Sequence, residues 1–167
     1  MNFNDRVIIG LGSNTGDSVS ILSGACEHLK RLLEQFRMSS WFETEPLEIY
    51  NQPYFINGAV SGFFGDSPAV LLEKLHRIER TFGRDRSQEK RWAERTLDLD
   101  ILLFGDRCIS DIDLEIPHPR LKVRAFALIP LLELEPEARE PLTGIPYRTM
   151  LDSLENQKVR KLYDSLC

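Results

Sequence analysis

The sequence predicts an α+β sandwich in which helices pack on one largely antiparallel central sheet. Three observations favour it: predicted elements follow the order β-α-β-β-α-β, a helix-rich stretch comes after them, and no repeat or low-complexity linker divides the chain. That element order is the one found in ferredoxin-like folds, so we expect a sandwich derived from that arrangement. At 167 residues the chain has the usual length of one domain, and we expect a single catalytic domain spanning residues 1–167.

The first two elements are a strand and a helix joined by a glycine-rich turn. Three consecutive β-branched residues within 6–11 run into a glycine, which predicts a buried strand. Residues 10–17 are predicted to form a turn, and either Asp17 or Ser18 can cap the helix that follows. The apolar positions that give this helix its spacing are Leu22, Leu29, Leu32, Leu33 and Phe36.

Two strands and a second helix come next. Residues 38–45 alternate weakly and stop before a proline, and residues 54–64 alternate more clearly, so both ranges are predicted as strands. One face of the second strand carries Phe55, Asn57, Ala59 and Ser61. Ser67 and Pro68 form a cap followed by proline at the first helical position. The apolar residues of this helix and the glycine that ends it are Leu71, Leu72, Leu75, Ile78 and Gly83.

The rest of the chain is predicted as a loop, a strand and two helical segments. Residues 84–95 have no apolar period and are dense in charge, so they are predicted to form a loop. Residues 97–104 form the strongest predicted strand. Residues 120–134 are predicted to be helical with an interruption at Pro130, and a short final helix is predicted over 148–154.

The composition excludes several classes of protein. Lys+Arg is 21 and Asp+Glu is 26, giving a net charge of −5, which argues against nucleic acid or an anionic membrane as the main partner. No stretch approaches the roughly 20 apolar residues of a membrane helix. No basic segment followed by an apolar run is visible at the start, so we expect a cytoplasmic protein. The three widely spaced cysteines, Cys26, Cys108 and Cys167, indicate neither a disulfide framework nor a zinc site.

A pair of aspartates in the strongest strand is the first candidate for chemistry. Side chains two apart on a strand share a face, so Asp98 and Asp100 are expected to project together, roughly 7 Å apart. Leu97, Leu99 and Ile101 are expected to face the core on the other side. Two such carboxylates repel each other unless a cation lies between them, and Mg²⁺ is commonly held by one or two carboxylates plus substrate phosphates. The competing interpretation is a solvated face of an edge strand.

Two groups of basic residues flank the aspartates. The first places five of the 21 basic residues in twelve positions: Arg84, Arg86, Lys90, Arg91 and Arg95. The second follows a proline and comprises His118, Arg120, Lys122 and Arg124. Arginine donors fit phosphate oxygens, and a metal together with arginines is the usual clamp on a transferring phosphoryl group. The first group could also be a solvated loop, since three acidic residues partly neutralise it, but the coincidence with the aspartates favours a polyphosphate-metal site.

The glycine-rich turn does not match a known nucleotide-binding fingerprint. Three residues rather than two separate Gly12 from Gly16, which excludes the dinucleotide motif. Asp17 follows Gly16, which excludes the P-loop. A structural turn is therefore the better interpretation, and any ATP site must be built without a P-loop.

Two aromatic residues and an asparagine fit a slot for a flat heterocycle. Phe55 and Phe126 lie far apart in the sequence, and each is more often a core residue than a ligand contact. Asn57, on the same strand face as Phe55, adds a polar group to an otherwise apolar run, as such a slot requires. The sequence alone does not join these residues into one pocket.

Six segments, in order and with matching spacing, closely resemble the 6-hydroxymethyl-7,8-dihydropterin pyrophosphokinase family of folate biosynthesis. They are IGLGSN (9–14), TEPL (44–47), QPYFIN (52–57), RTLDLDI (95–101), PHPRL (117–121) and RAF (124–126). The resemblance covers nearly the whole chain. It implies a magnesium-dependent transferase that moves the β,γ-pyrophosphoryl group of ATP to the hydroxymethyl oxygen of the dihydropterin and releases AMP. It also implies small-molecule substrates only, with neither nucleic acid nor membrane as partner, and we expect a monomer.

The resemblance also implies roles for individual residues. The metal ligands for two Mg²⁺ ions would be Asp98 and Asp100, which with Arg84 and Arg95 form the catalytic set. The ATP-binding set would be Leu72, His76, Arg84, Arg91, Trp92, Arg95, Ile101, His118 and Arg124. The pterin-binding set would be Thr44, Leu47, Phe55, Asn57 and Phe126, with the two phenylalanine rings on either side of the pterin. Glu79 would support the site from behind.

This chain departs from the family pattern at Ala93-Glu94, where the family usually has Gly-Pro. Two alternatives stay open beside the pyrophosphokinase. A non-catalytic module that binds nucleotide or RNA is compatible with the element order, although no RNP-like aromatic strand is present and the net charge is acidic. Another magnesium-dependent nucleotidyl transferase would release pyrophosphate rather than AMP.

Overall fold

The computed structural model describes residues 5–45, 53–84 and 96–163, with only the backbone of Tyr163. Its strands are β1 (Asp5–Ser13), β2 (Glu34–Met38), β3 (Trp41–Thr44), β4 (Phe55–Phe64), β5 (Asp98–Phe104), β6 (Ile109–Ser110), β7 (Glu115–Ile116) and β8 (Val159–Tyr163). Its α-helices are α1 (Ser18–Leu32), α2 (Pro68–Thr81), α3 (Ala125–Leu134) and α4 (Tyr147–Asp152), and a 3₁₀ helix spans Leu121–Val123.

In the described part of the chain, one six-stranded sheet forms the centre of the molecule. Its order is β5-β1-β4-β3-β8, and β2 pairs with β4 as well. All of these pairings are antiparallel, and β6 and β7 form a small separate hairpin. Helices pack on the sheet, so the predicted α+β sandwich with a largely antiparallel sheet is confirmed.

The alternation of side chains along the strands divides the apolar core into two layers. On one face, α1 and α2 cover a cluster that includes Ile9, Leu11 and Leu99, all at most 3% exposed. On the other face, α3 and α4 cover a second cluster that includes Ile8 and Leu102. Burying apolar side chains on both faces stabilises the central strands by about 25 cal/mol for each Å² removed from water.

Helix α1 ends earlier than its apolar spacing predicts. It stops at Leu32, Leu33 adopts an extended backbone as the C-cap, and Phe36 lies in β2. The predicted helical positions of Leu33 and Phe36 are therefore wrong, although both side chains still pack on the first core. The reversal passes through Gln35, whose φ of 50° lies in the left-handed region. At the other end Asp17 is the cap, since its carboxylate accepts the Ser20 N–H at 3.1 Å.

The predicted strand over residues 38–45 contains only Met38, the last residue of β2, and then β3, with a pair of serines between them. The Ser39 hydroxyl accepts the Ala59 N–H at 2.9 Å, where an unbroken ladder would supply a backbone carbonyl. At Ser40, Glu133 accepts hydrogen bonds from the backbone N–H at 2.7 Å and from the hydroxyl at 2.6 Å. These side-chain bonds satisfy the backbone at the break and attach α3 to the sheet.

The helical segment over residues 120–134 is interrupted at a different place from the one predicted. Arg124 has an extended backbone between the 3₁₀ helix and α3, whereas α3 continues through Pro130. Pro130 removes one N–H from the helix, but it is buried with most of α3, and apolar packing outweighs that loss. The predicted final helix is α4, shifted to Tyr147–Asp152.

Strand β8 and the β6–β7 hairpin were not among the predicted elements. Both are short, and β8 follows a stretch of polar residues. Among the described residues, no helix has the length and apolar content needed to cross a membrane. Cys26 is buried and Cys108 is exposed, and neither is in a disulfide within the described part of the chain.

Candidate active site

Three neighbouring strands bring the predicted site residues onto one face of the sheet. Gly12 in β1 pairs with Asn57 in β4 on one side and with Asp98 in β5 on the other. Two residues along, Gly10 pairs with Asp100. Because paired residues of antiparallel strands project to the same face, the two carboxylates and the Asn57 amide share a surface, with a strip of glycine backbone between them.

Asp98 is held by a buried arginine. The Arg84 guanidinium donates to the Asp98 carboxylate at 2.5 Å and to the Glu79 carboxylate at 2.6 Å. The side chains of Arg84 and Glu79 are only 5% and 1% exposed. Glu79 also accepts the backbone N–H of Leu99 at 2.9 Å, so it contacts both the strand that carries the aspartates and the arginine that contacts one of them. Charges buried this deeply require such pairing.

His118 lies beside the second aspartate. Its Nε2 is 3.7 Å from the Asp100 carboxylate, and its backbone N–H donates to the carbonyl of Leu102 in β5 at 3.0 Å. Its Nδ1 accepts the backbone N–H of Arg120 at 3.2 Å. A neutral imidazole that accepts at Nδ1 carries its proton on Nε2, so His118 presents an N–H donor on the aspartate side.

The electrostatics of the site favour an incoming cation. Burial, followed by the charge of Asp98, raises the pKa of Asp100 to about 7, while Arg124 acts in the opposite direction. Burial, followed by the charges of Arg124 and Arg120, lowers the pKa of His118 to about 4. His118 is therefore neutral at pH 7 and does not offset the repulsion between the two carboxylates, which Arg84 at Asp98 and Arg124 near Asp100 reduce only in part. A divalent cation removes that repulsion.

A second region of the same face has the properties of a slot for a flat ring. Phe55 and Asn57 lie on one side of β4, Thr44 pairs with Phe55, and the Asn57 amide donates to the Thr44 hydroxyl at 2.9 Å. Phe126 lies on α3, which covers this face, and the Arg124 guanidinium is 5.4 Å from the centre of its ring. Phe55 and Phe126 are both only partly buried.

A family model described as 7,8-dihydro-6-hydroxymethylpterin-pyrophosphokinase (HPPK) matches residues 8–136. The chain belongs to this family. It is 38% identical over 150 residues to 2-amino-4-hydroxy-6-hydroxymethyldihydropteridine pyrophosphokinase from Synechocystis sp., covering 89% of this chain and 74% of the relative. It is 36% identical to the protein of the same name from Aquifex aeolicus over 142 residues, covering 85% and 88% of the two chains.

Solved structures of HPPK-DHPS proteins share the fold. A Plasmodium falciparum structure, of HPPK-DHPS A437G with SDX-DHP, superposes with a TM-score of 0.74 at 18% identity, over 92% of this chain and 46% of the other. A structure of HPPK-DHPS in complex with substrates gives a TM-score of 0.74 at 15% identity, over 96% and 47%. At such identities the likeness concerns the fold, and this chain spans about half the length of each of those proteins.

In this member of the HPPK family, the residues expected on the adenine side lie near α2. Leu72 and His76 are on α2, which packs against β5. Ile101 is 4% exposed in the first core, across the sheet from the two aspartates. The side chain of Ile101 therefore belongs to the core. At this position β5 could contact a ligand through its backbone. Four further expected site residues, Leu47, Arg91, Trp92 and Arg95, lie outside the described residues.

The expected donor set fits magnesium in this HPPK chain. Across residues 5–45, 53–84 and 96–163, no three His, Cys, Asp or Glu side chains gather in a group that could hold a metal alone. The site instead offers two carboxylates on one face, the number that Mg²⁺ commonly takes from a protein when phosphates supply other ligands. Carboxylate oxygens without cysteine or a histidine cluster also favour a hard cation over zinc.

The contact between Arg84 and Asp98 is the main feature of the site that the sequence did not predict. Arg84 was expected to meet phosphate, yet its side chain is buried between two carboxylates. A signal was present in α2, where Glu79 falls on the buried stripe of the helix beside Leu75 and Ile78. A carboxylate on an apolar stripe requires a buried cationic partner. Arg77 and Arg80 are nearer in sequence but lie on the exposed side of α2, and Arg84 is the first cation beyond the helix.

Proposed function

We propose that this chain transfers the β,γ-pyrophosphoryl group of ATP to the hydroxymethyl oxygen of 6-hydroxymethyl-7,8-dihydropterin and releases AMP. The proposal rests on the observation that a single face of the sheet holds both groups. The carboxylate pair lies at one end of this face, and the Asn57–Thr44 pair with Phe55 lies at the other. Membership of the HPPK family and the names of the relatives support the same reaction. It would be a diphosphokinase step in folate biosynthesis.

The reaction needs positioning and charge dispersal rather than a side-chain nucleophile. The hydroxymethyl oxygen attacks the β-phosphorus and loses its proton to solvent. The bond from the β-phosphorus to the oxygen shared with the α-phosphate breaks, and its electron pair leaves with AMP. Holding the two substrates in line supplies much of the acceleration, and donors aimed at the phosphate oxygens supply the rest.

Asp98 and Asp100 would hold two Mg²⁺ ions together with the triphosphate. When bound, magnesium would neutralise charge on the phosphate oxygens. Asp100 has its pKa raised to about 7 chiefly by burial, so binding a cation near neutrality would displace a proton from this carboxyl group. Arg84 already donates to Asp98 and so fixes the position of that carboxylate.

Hydrogen-bond donors and positive charges beside Asp100 would bind the triphosphate. His118 presents an Nε2–H beside Asp100, and Arg124 carries a fixed positive charge near the same carboxylate. We assign phosphate contacts to these two residues and to Arg91 and Arg95. Arg84, whose guanidinium donates to Asp98 and Glu79, is assigned to holding the Asp98 carboxylate. Leu72, His76, Trp92 and Ile101 are assigned to the nucleotide.

Phe55 and Phe126 would contact the two faces of the pterin ring, and Asn57, Thr44 and Leu47 would contact its edge. A ring that lies against aromatic side chains gains apolar and stacking contacts, while the asparagine amide supplies a donor and an acceptor in one plane. The Asn57 amide is oriented by its bond to the Thr44 hydroxyl, so its free edge has a defined direction.

We further propose that residues 1–167 act as one catalytic domain, as a cytoplasmic monomer with no nucleic-acid or membrane partner. The acidic net charge of −5 supports the absence of a polyanionic partner.

The product that is formed from ATP distinguishes the candidate functions. Purified protein with ATP, MgCl₂ and 6-hydroxymethyl-7,8-dihydropterin is expected to give AMP and the pterin diphosphate, separated by ion-exchange chromatography. Release of pyrophosphate would indicate a nucleotidyl transferase. Salt-dependent RNA binding without turnover would indicate a binding module, and folded protein that makes no AMP would contradict the proposal.

The metal assignment has its own test. Asp98→Ala and Asp100→Ala are each expected to lose at least about 10²-fold in kcat, because each removes one oxygen ligand from the charge-neutralising site, while circular dichroism shows a retained fold. The matched control is Asp113→Ala, at an exposed aspartate in the turn between β6 and β7. Wild-type rates in either site variant would remove the metal assignment.

A further inference from the structure

The middle strand of the site, β1, has glycine at two positions that lie next to functional side chains of neighbouring strands. Gly12 lies between Asn57 and Asp98, and Gly10 lies between Ala59 and Asp100. A side chain at position 12 would therefore project between the Asn57 amide and the Asp98 carboxylate.

The backbone does not require glycine at either position. In the described residues, the glycines with positive φ are Gly16, Gly83, Gly105 and Gly144. Gly10 and Gly12 have strand conformations that other residues adopt. Glycine weakens a strand interior, and it commonly marks a place where a ligand or another segment approaches closely.

A methyl group at position 12 would press on the Asn57 amide. A Cβ built there lies 3.0 Å from Asn57 Oδ1, closer than ordinary van der Waals contact. The amide is buried, and its Nδ2 donates to the Thr44 hydroxyl at 2.9 Å, so it could not move away without disturbing that bond. At Gly10 a Cβ would instead meet the end of the flexible Leu102 side chain at 3.3 Å.

We propose that Gly12 is a positioning residue for the pterin substrate. Its missing side chain lets the Asn57 amide lie close over β1 in the orientation that Thr44 fixes, so the amide meets the ring edge. Adjacent strands are about 4.8 Å apart, so Asn57 and Asp98 are separated by roughly 10 Å across Gly12. The hydroxymethyl arm crosses β1 at Gly12 on its way to the carboxylates. The inference rests on the proposed function.

The test compares Gly12→Ala with Gly10→Ala, a matched change on the same face of the same strand. Steady-state kinetics are measured for wild type and both variants with Mg²⁺ and both substrates. Gly12→Ala is expected to raise KM for the dihydropterin about tenfold, as overpacking by one methyl group would, and to leave KM for ATP unchanged. Gly10→Ala is expected to leave both KM values near those of wild type.

A double variant shows whether the effect passes through the amide. In an Asn57→Ala background, adding Gly12→Ala is expected to change nothing further, because the group that the methyl would displace is gone. If Gly12→Ala alone does not fold, the double variant decides: a folded double variant supports the clash, and an unfolded one overturns the inference.

The failure of this inference differs from the failure of the proposed function. Wild-type protein that makes no AMP contradicts the function. An active wild type with an unchanged dihydropterin KM in Gly12→Ala, or with equal changes in both KM values, overturns the role of Gly12 alone.

Discussion

Asp100 shows how a single residue is placed against its own electrostatic preference. It lies next to a second carboxylate, and burial raises its pKa to about 7 against the ordinary value of 3.8. The neighbouring His118 adds no compensating charge at neutral pH, since its pKa is lowered to about 4 by burial and by two nearby arginines. Sites arranged for binding often destabilise the empty protein in this way.

The metal-free protein should therefore be stabilised at high pH by Asp100→Asn. Because the folded-state pKa is raised above the unfolded value, the contribution of Asp100 is fully present below about pH 4 and is lost as pH rises through 7. Asparagine cannot ionise, so the variant should gain thermal stability relative to wild type between pH 5 and pH 8 in EDTA. Thermal unfolding at both pH values measures this, and a pH-independent difference would contradict it.

At the scale of elements, the joint between α2 and β5 holds the carboxylate-bearing strand in place. Glu79 at the end of α2 accepts the Leu99 N–H and pairs with Arg84, and Arg84 in turn contacts Asp98. The helix begins at a Ser67 cap with a proline in its first turn, and its buried stripe leads directly to Glu79. One helix therefore connects packing in the core to the position of a proposed metal ligand.

Breaking this joint should destabilise the fold. Glu79→Ala leaves Arg84 buried with one carboxylate fewer and is expected to lower the free energy of unfolding by about 3 kcal/mol. Glu79→Gln keeps an oxygen for the Leu99 N–H and should cost less. Glu73→Ala, which breaks an exposed pair with Arg77 on the same helix, is the control and should cost at most about 0.5 kcal/mol. Urea unfolding measures the stability of all three variants. Equal losses in the free energy of unfolding for Glu73→Ala and Glu79→Ala would contradict a stabilising role for the buried Glu79–Arg84 pair.

The elements that sequence reasoning predicted are those in which apolar spacing and end signals agree. Strand β5 and helix α2 combine a clear period with a cap or a closing glycine. The end of α1 was missed because Phe36 keeps helical spacing with Leu29 while packing on the same core from β2. Apolar spacing alone cannot distinguish a residue in the last turn of a helix from one in the following strand. The serine break after β2 depends on Glu133, which lies far along the chain.

The site was predictable in its residue types and less so in its contacts. The two aspartates share a face because strand alternation is fixed by the backbone, and Asn57 and Phe55 share a face for the same reason. The partner of Arg84 could not be read from the sequence, because it depends on how α2 packs against β5.

At the scale of the whole molecule, the two halves of the site lie toward opposite edges of one sheet. β5, which carries the aspartates, is one edge, while Thr44 lies in β3, next to the opposite edge strand β8. Strand β8 pairs with β3 from Thr44 to Trp41, and the Arg160 guanidinium donates to Glu43 at 2.6 Å. The pterin end of the site therefore depends on the last described segment of the chain.

Removing residues 158–167 should affect the two substrates differently. Loss of β8 makes β3 an edge strand and loosens the strand that orients Thr44, so KM for the dihydropterin should rise several-fold. KM for ATP should stay unchanged, because β5 is at the opposite edge. Removing residues 164–167 alone, which leaves β8 intact, is the control. Equal changes in both KM values would contradict this separation.

Because β1 lies between β4 and β5, the central sheet can be completed only after β5 has been synthesised. β1 leaves the ribosome before either of its neighbours, because Val7 pairs with Gly62 on one side and with Phe104 on the other. The second of these pairs joins residues 7 and 104, and pairings this distant in sequence form slowly. Between the synthesis of β4 and that of β5, β1 can pair on one side only, and such an open apolar strand edge favours aggregation or chaperone binding.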